Sequence, residues 1–144
     1  MTAKPVTAQA PRMALVVHSD MGKLSSYQAA LTEKGFVAIV ARDLATALLA
    51  ITQHYFDVAI VSSRLGEGGD GWPLAGVLHL VFPKAFVAVV SPEEPDVLAL
   101  QSAINYGVRE IYHVSSPPAE VIGSIIVQLD RPAEARAGSK ARVQ

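Results

Sequence analysis

Polar side chains that could act in catalysis or in binding follow the apolar runs of this chain. His18, Ser19 and Asp20 come directly after the first run, Ser62 ends the third, and Ser91 ends the fourth. An imidazole beside a hydroxyl could serve as base and nucleophile, whereas carboxylates could hold a metal ion. Which chemistry is possible depends on the elements that bring these residues together.

Five short apolar runs, rich in Val, Ile and Ala, predict the strands of the fold. They are Met13–Val17, Phe36–Ala41, Val58–Val61, Phe86–Val90 and Ile111–Val114. The runs are near-continuous rather than alternating, which is typical of strands that are covered on both faces.

Segments with helical spacing follow each run, and residues that favour helix ends mark their limits. The markers are Gly35 after the first helix, Asp43 as the cap of the second, Pro73 in the first turn of the third, Gly107 after the fourth and Pro117-Pro118 before the fifth. Strand and helix thus alternate five times, which predicts an α/β fold with a doubly wound parallel sheet. The expected strand order is 2-1-3-4-5, with ligand sites at the carboxyl ends of the strands.

The length of 144 residues suits one domain over residues 12–129, and we expect segments 1–11 and 130–144 to be flexible. The hydrophobic fraction of 51% allows a sizeable core without staples. Cys is absent, which excludes thiol catalysis and fits a reducing compartment. No apolar run approaches the roughly 18 residues of a membrane helix, so we expect a cytoplasmic protein without a membrane partner.

The charges are distributed unevenly along the chain. Residues 12–129 contain seven Lys or Arg and eleven Asp or Glu, a net charge of −4, whereas the two ends together carry +3. An acidic body offers no basic face for phosphates, which argues against nucleic acid as a partner. The basic residues of the C-terminal tail are interpreted as part of a solvated end.

Four histidines suggest a metal site, but their predicted positions are too far apart. His18 ends the first strand and His113 lies on the fifth, three strand spacings or roughly 14 Å away. His54 and His79 belong to predicted helices. We therefore expect neither a metal ion nor a cofactor.

The segment Gly66–Gly71 matches G-x-G-x-x-G and lies between a strand and a helix, as in dinucleotide-binding loops. It begins four residues after Ser62 and follows the third strand, whereas a phosphate-binding turn leaves the first strand at once. A flexible loop is the simpler interpretation. A small-ligand or nucleotide sensor that uses this loop and the strand-end pocket stays an alternative.

Ser62 and His18 lack the other parts of a nucleophilic site, since there is no G-x-S-x-G elbow and no obvious acid to orient the imidazole. We expect a local hydrogen bond there and no enzyme activity. Ser91 could have a structural role in place of a functional one. Together with Glu94, three residues further on, it resembles a capping box for the fourth helix.

Over residues 12–129 the chain resembles a response-regulator receiver domain (CheY-like), the flavodoxin-like module of two-component signalling. The resemblance rests on the order and spacing of five features. They are Leu15–Asp20 after the first strand, Asp57 at the start of the third, Asp70-Gly71 before the third helix, Ser91 at the end of the fourth strand and Gly107–Glu110 before the fifth. The resemblance implies a flavodoxin-like (βα)5 fold.

In that family an acidic pair after the first strand holds Mg²⁺, and an Asp at the end of the third strand accepts a phosphoryl group. The resemblance places His18 and Ser19 at the acidic pair, one step before Asp20, and Ser62 at the acceptor. Imidazole and hydroxyl groups are poor replacements for the oxygen ligands that Mg²⁺ prefers. A serine cannot form an acyl phosphate.

The family also binds the phosphoryl oxygens with a Thr or Ser on the fourth strand and a Lys on the fifth, and an aromatic residue three positions earlier acts as the switch. Ser91 matches, but Val114 stands at the Lys position and Ile111 at the aromatic one. Phosphoryl transfer needs positioned charge at these oxygens. The resemblance therefore implies a degenerate pseudo-receiver that works by phosphorylation-independent contact.

Tyr106, Arg109 and Tyr112 cluster around the fourth helix and fifth strand, a face that receivers commonly use for docking. Tyr and Arg are enriched at binding hot spots. The expected partners are proteins of a bacterial signalling assembly, including a homodimer through helix four, strand five and helix five. A phosphorelay receiver with an unusual acceptor is the remaining alternative.

Overall fold

The structure is a computed structural model that describes residues 11–66 and 69–131. Five strands and five helices alternate in this part of the chain, as predicted. The strands are β1 (Met13–Val17), β2 (Val37–Ala41), β3 (Val58–Ser62), β4 (Phe86–Ser91) and β5 (Glu110–His113). The helices are α1 (Met21–Glu33), α2 (Leu44–Gln53), α3 (Trp72–Val81), α4 (Val97–Tyr106) and α5 (Pro118–Leu129). The segments predicted to be flexible lie outside the described residues, apart from Pro11, Asp130 and Arg131.

The five strands form one parallel sheet in the order β2-β1-β3-β4-β5, which confirms the predicted topology. Every residue of β3 and β4 is buried, because both faces of these strands are covered by helices. In the pairing of β1 with β3, Val17 lies opposite Val61. This register brings the carboxyl ends of the two strands level.

The core consists of two clusters, one on each face of the sheet. On one face α1 and α5 form what we call the α1–α5 layer, whose helices bury Leu24, Tyr27, Leu31, Val121, Ile122 and Ile125. On the other face α2, α3 and α4 form the α2–α4 layer. Its buried helical residues are Ala47, Ala50, Ile51, Leu74, Ala75 and Leu78, and all of them belong to α2 or α3.

Side-chain caps fix the starts of several helices. The carboxylate of Asp43 accepts a hydrogen bond from the Thr46 amide at 2.8 Å, which confirms the predicted cap of α2. The predicted capping box of Ser91 and Glu94 is wrong, because α4 begins at Val97 and is capped by Asp96. Ser91 instead accepts a hydrogen bond from the amide of Glu93.

In the described part of the chain, no helix is both long and apolar enough to cross a membrane.

Candidate functional site

The carboxyl ends of β1 and β3 bring His18 and Ser62 side by side. They come two residues after Val16 and Ile60, whose side chains lie in the α1–α5 core. Because side chains alternate along a strand, His18 and Ser62 face this same layer. The predicted neighbours therefore share one face of the strand-end edge.

The Ser62 hydroxyl is used by its own loop. It donates a hydrogen bond to the carbonyl oxygen of Arg64 at 2.8 Å and accepts one from the Arg64 amide at 3.3 Å. In the part of the chain that the structure describes, its oxygen forms no hydrogen bond with His18. The arrangement holds the turn after β3 and does not prepare a nucleophile.

The hydrogen bonds of His18 determine its tautomer. Its Nδ1 accepts a hydrogen bond from the Asp20 amide at 3.1 Å, so the proton of the neutral ring is on Nε2. That Nε2 is buried and has no hydrogen-bond partner among the described residues. Burial lowers the pKa of His18, the nearby Lys23 ammonium lowers it too, and the Asp20 carboxylate opposes the shift. The pocket therefore favours an uncharged imidazole.

Asp20 is the N-cap of α1. Its carboxylate accepts a hydrogen bond from the Lys23 amide at 3.1 Å. This hydrogen bond lowers the pKa of the Asp20 carboxyl. The acidic group next to the two positions that hold Mg²⁺ in the receiver family thus stabilises a helix terminus.

Lys23 is a residue that the sequence analysis missed. Its Nζ donates a hydrogen bond to the carbonyl oxygen of Val114 at 3.0 Å, across 91 positions of the chain. An ammonium group therefore reaches the end of β5 from α1, although position 114 itself carries no charge. The only hint in the sequence is that Lys23 lies in the first turn of a helix that starts at the strand-end edge.

The loops after β3 and β4 are joined by an ion pair between Arg64 and Glu93. Glu93 also contacts the Ser91 hydroxyl, with Oε1 3.4 Å from Oγ. Both charged side chains are largely exposed, so the pair contributes less than about 1 kcal/mol. It links the two loops at the strand-end edge.

His113 belongs to the loop network beside β5. Its Nδ1 is 2.7 Å from the Ser115 hydroxyl and its Nε2 is 3.2 Å from the carbonyl oxygen of Pro92. Among residues 11–66 and 69–131, no group of three His, Asp or Glu side chains could hold a metal ion.

The glycine-rich loop folds back on the end of β3. The Leu65 amide donates to the Gly69 carbonyl at 3.2 Å, and the Gly71 amide donates to the Ser63 carbonyl at 3.0 Å. A Cβ atom on Gly71 would lie 1.9 Å from the Ser62 carbonyl oxygen, so only glycine allows this approach. Glu67 and Gly68 of the same motif lie outside the described residues.

The three residues predicted to form an interaction surface lie in different places. Tyr106 packs in the α2–α4 layer over Gly76 of α3. Tyr112 faces the α1–α5 layer, where its hydroxyl is 2.8 Å from that of Ser124 on α5. Arg109 is exposed, and its guanidinium lies 5.1 Å from the centre of the Phe86 ring.

Ile111, at the predicted switch position, is half-buried. It lines a groove of about 220 Å³ between α4 and β5, together with Leu100 and Ala103 of α4.

Comparison with solved structures finds similar folds. A response-regulator receiver domain protein (CheY-like) from Methanospirillum hungatei has a TM-score of 0.76 at 20% identity, covering 84% of this chain and 95% of that one. The signal receiver domain of an HD domain-containing protein from Pseudomonas fluorescens has a TM-score of 0.73 at 22% identity, covering 84% and 96%. A response regulator from Burkholderia pseudomallei, which contains a phosphorylated aspartic acid, has a TM-score of 0.73 at 19% identity, covering 92% and 75%.

No protein-family model matches the chain, and no curated protein matches it. At identities of 19–22% the structural likeness concerns the fold. The shared features are the five parallel strands in the order 2-1-3-4-5 and the five helices between and after them. This chain therefore has the fold of CheY-like response-regulator receiver domains.

Proposed function

We propose that this chain is a pseudo-receiver: a non-enzymatic domain that acts in signal transduction through phosphorylation-independent contacts with proteins. The observation that carries the proposal is the state of Ser62. By the resemblance this residue occupies the phosphoacceptor position, yet its hydroxyl both donates to and accepts from the backbone of Arg64. The Burkholderia response regulator carries a phosphorylated aspartic acid, and a serine offers no carboxylate for such a group.

The surroundings of Ser62 support the same conclusion. The two positions of the metal-binding pair hold His18 and Ser19, and the neighbouring Asp20 is the cap of α1. Mg²⁺ binds through hard oxygen ligands, usually one or two carboxylates beside the phosphate. His18 and Ser19 supply no carboxylate at these two positions, and the Asp20 carboxylate beside them accepts the Lys23 amide.

The Lys that binds the phosphoryl oxygens in the receiver family is also missing from its position on the fifth strand. Val114 stands where the family has Lys, and the ammonium of Lys23 approaches from α1. That ammonium is held by the Val114 carbonyl, so it fastens α1 to the end of β5. We propose that this contact stabilises one fixed arrangement of the strand ends in place of a switch.

Intact-mass spectrometry after incubation with Mg²⁺ and a small acyl phosphate tests the proposal. We expect no change in mass, because neither Ser62 nor its neighbours can form or stabilise the adduct. A receiver with an intact acceptor Asp, treated in the same tube, is the positive control. A stoichiometric phosphoryl adduct on this chain would show that it is a phosphorelay receiver with an unusual acceptor.

The small-ligand alternative depends on the glycine-rich loop. Two amides of this loop, those of Leu65 and Gly71, already donate to carbonyl groups of the loop and are not free to bind a phosphate. A thermal-shift screen against nucleotides separates the two functions, because a ligand that binds only the native state raises the melting temperature. We expect no shift.

A further inference from the structure

Helix α4 is apolar but buries none of its residues. Its ten residues include Val97, Leu98, Leu100 and Ile104, and Ile104 has 79% of its surface exposed. Val97, Leu100 and Ile104 follow the i, i+3, i+7 spacing that places side chains on one helical face. The half-buried residues on the side towards the domain include the small Ala99 and Ala103. The large aliphatic side chains of α4 therefore point away from the domain, whereas Tyr106 at the end of the helix packs on α3.

The apolar surface continues onto α3. Leu80 is 80% exposed, and Val81 beside it is also exposed. A groove of about 330 Å³ separates the two helices and is lined by Pro73, Gly76, Val77, His79, Leu80, Asn105 and Tyr106. The sequences of α3 and α4 contain no Asp, Glu, Lys or Arg. We call this charge-free area the α3–α4 surface.

The two ends of α4 carry opposite charges. Glu94 and Asp96 are exposed at its start, where the strands end. Lys84 lies in the loop after α3, and Arg109 follows the last turn of α4 with its guanidinium over the Phe86 ring; both residues are exposed at the opposite edge of the sheet. None of these four side chains forms a salt bridge within the described residues.

We propose that the α3–α4 surface binds a second copy of this chain, with the two α4 helices antiparallel across a twofold axis. A twofold axis pairs a surface with itself, so the acidic start of one α4 meets the basic end of the other, twice. The charge-free middle has no like charges to bring together. The pairing would cover Val97, Leu100 and Ile104 and the groove beside them.

This inference rests on the proposed function, because it names the protein partner that a phosphorylation-independent receiver would contact. It shares α4 with the expected surface of helix four, strand five and helix five, because Leu100 also lines the groove towards β5, but it extends that surface onto α3 in place of α5. Helix α5 exposes one large apolar residue, Val127. Tyr112 is turned towards Ser124 in the α1–α5 layer. Apart from α2, whose Leu44, Leu48 and Leu49 are also exposed, the exposed apolar side chains of the helices are concentrated on α3 and α4.

Sedimentation velocity of the full chain over a concentration series, up to about 100 μM, measures the self-association directly. We expect the average mass to rise from that of one 15.2 kDa chain towards that of two. Ile104→Lys should weaken the association by about 30-fold or more, because it places a charge at the centre of the contact. Val127→Lys makes a similar change on α5 and should leave the association unchanged.

A charge exchange tests the antiparallel arrangement. Glu94→Lys and Arg109→Glu should each weaken the association severalfold, and the double variant should restore it, because opposite charges again face each other. Melting temperatures of all variants are measured in parallel, since Arg109 also packs on Phe86. If the double variant is folded but its self-association is weakened by the sum of the two single effects, the antiparallel pairing is wrong.

Hydrogen exchange distinguishes a second copy from other occupants of the surface. Protection of α4 that rises with protein concentration supports the proposal. Protection that is equal at all concentrations would mean that the chain covers its own helix, and a chain that stays monomeric would overturn the proposal as well. In either case an unchanged mass after treatment with phosphodonor would leave the pseudo-receiver function standing.

Discussion

Helices α4 and α5 both flank the sheet and are both rich in apolar residues, yet they use them differently. In α5, Val121, Ile122 and Ile125 are buried against the sheet and α1. In α4, small alanines and Tyr106 face the domain and the large aliphatic side chains face outwards. Apolar residues that leave the core in this way mark contact surfaces. The comparison indicates that the α1–α5 layer stabilises the domain, whereas α4 is available to a partner.

The largest expected difference between the two helices is in how much a truncated isoleucine lowers the free energy of unfolding of the domain. Ile122→Ala in α5 should lower the free energy of unfolding by about 2–5 kcal/mol, because it leaves a cavity in the core. Ile104→Ala in α4 should change it by less than about 0.5 kcal/mol. Urea unfolding, at a concentration where the chain is monomeric, measures both. Equal losses at the two sites would show that α4 is part of the core.

Two helical glycines provide a second comparison. A Cβ atom on Gly76 of α3 would lie 2.5 Å from the Tyr106 ring, whereas Gly123 of α5 has no atom within 4 Å of that position. Gly76→Ala should cost about 1 kcal/mol of stability by displacing the ring, and Gly123→Ala should add about 0.5–1 kcal/mol through helix propensity. Thermal unfolding separates them. A stabilising Gly76→Ala would mean that Tyr106 does not hold α4 against α3.

Removing the Tyr112 hydroxyl changes the α1–α5 layer and leaves α3 and α4 untouched. Burial raises its pKa, and Tyr112 in turn adds to the burial effect that raises the pKa of Tyr27 to about 12. Tyr112→Phe removes the contact with Ser124 and should cost about 1 kcal/mol. Tyr55→Phe, at an exposed position, is the matched control. A loss of self-association in folded Tyr112→Phe would place the partner on this layer instead.

The smallest expected effect is the pH dependence caused by His18. Its folded-state pKa lies below the ordinary 6.5, so the unfolded chain takes up the proton first as the pH falls. The free energy of unfolding should therefore decrease as the pH falls below 6.5, until the folded state is protonated too. Denaturant titrations at several pH values should show a weaker decrease for His18→Gln than for the unsubstituted chain. An unchanged slope for His18→Gln would contradict the buried neutral imidazole.

The topology could be read from the sequence because each strand is a continuous apolar run between recognisable helix ends. Asp43 and Gly107 mark helix limits through local chemistry, which needs no knowledge of distant contacts. The strand-end residues followed from the topology, since parallel strands bring their carboxyl ends to one edge.

The contacts that could not be predicted depend on distant positions or on side-chain direction. Lys23 reaches Val114 across 91 positions, and none of the residues around it in the sequence predicts this partner. Tyr106 and Tyr112 are close in sequence, but they face opposite layers of the sheet. The apolar sequence of α4 resembles that of a core helix, so only the packing shows that its large aliphatic residues are exposed.

The central claim is that this domain works through its α3–α4 surface and without phosphorylation. Sedimentation velocity of the full chain, with and without Mg²⁺ and an acyl phosphate, tests both parts together. We predict the same concentration-dependent dimer in both samples. A chain that is monomeric until the phosphodonor is added, and then dimerises, would contradict it.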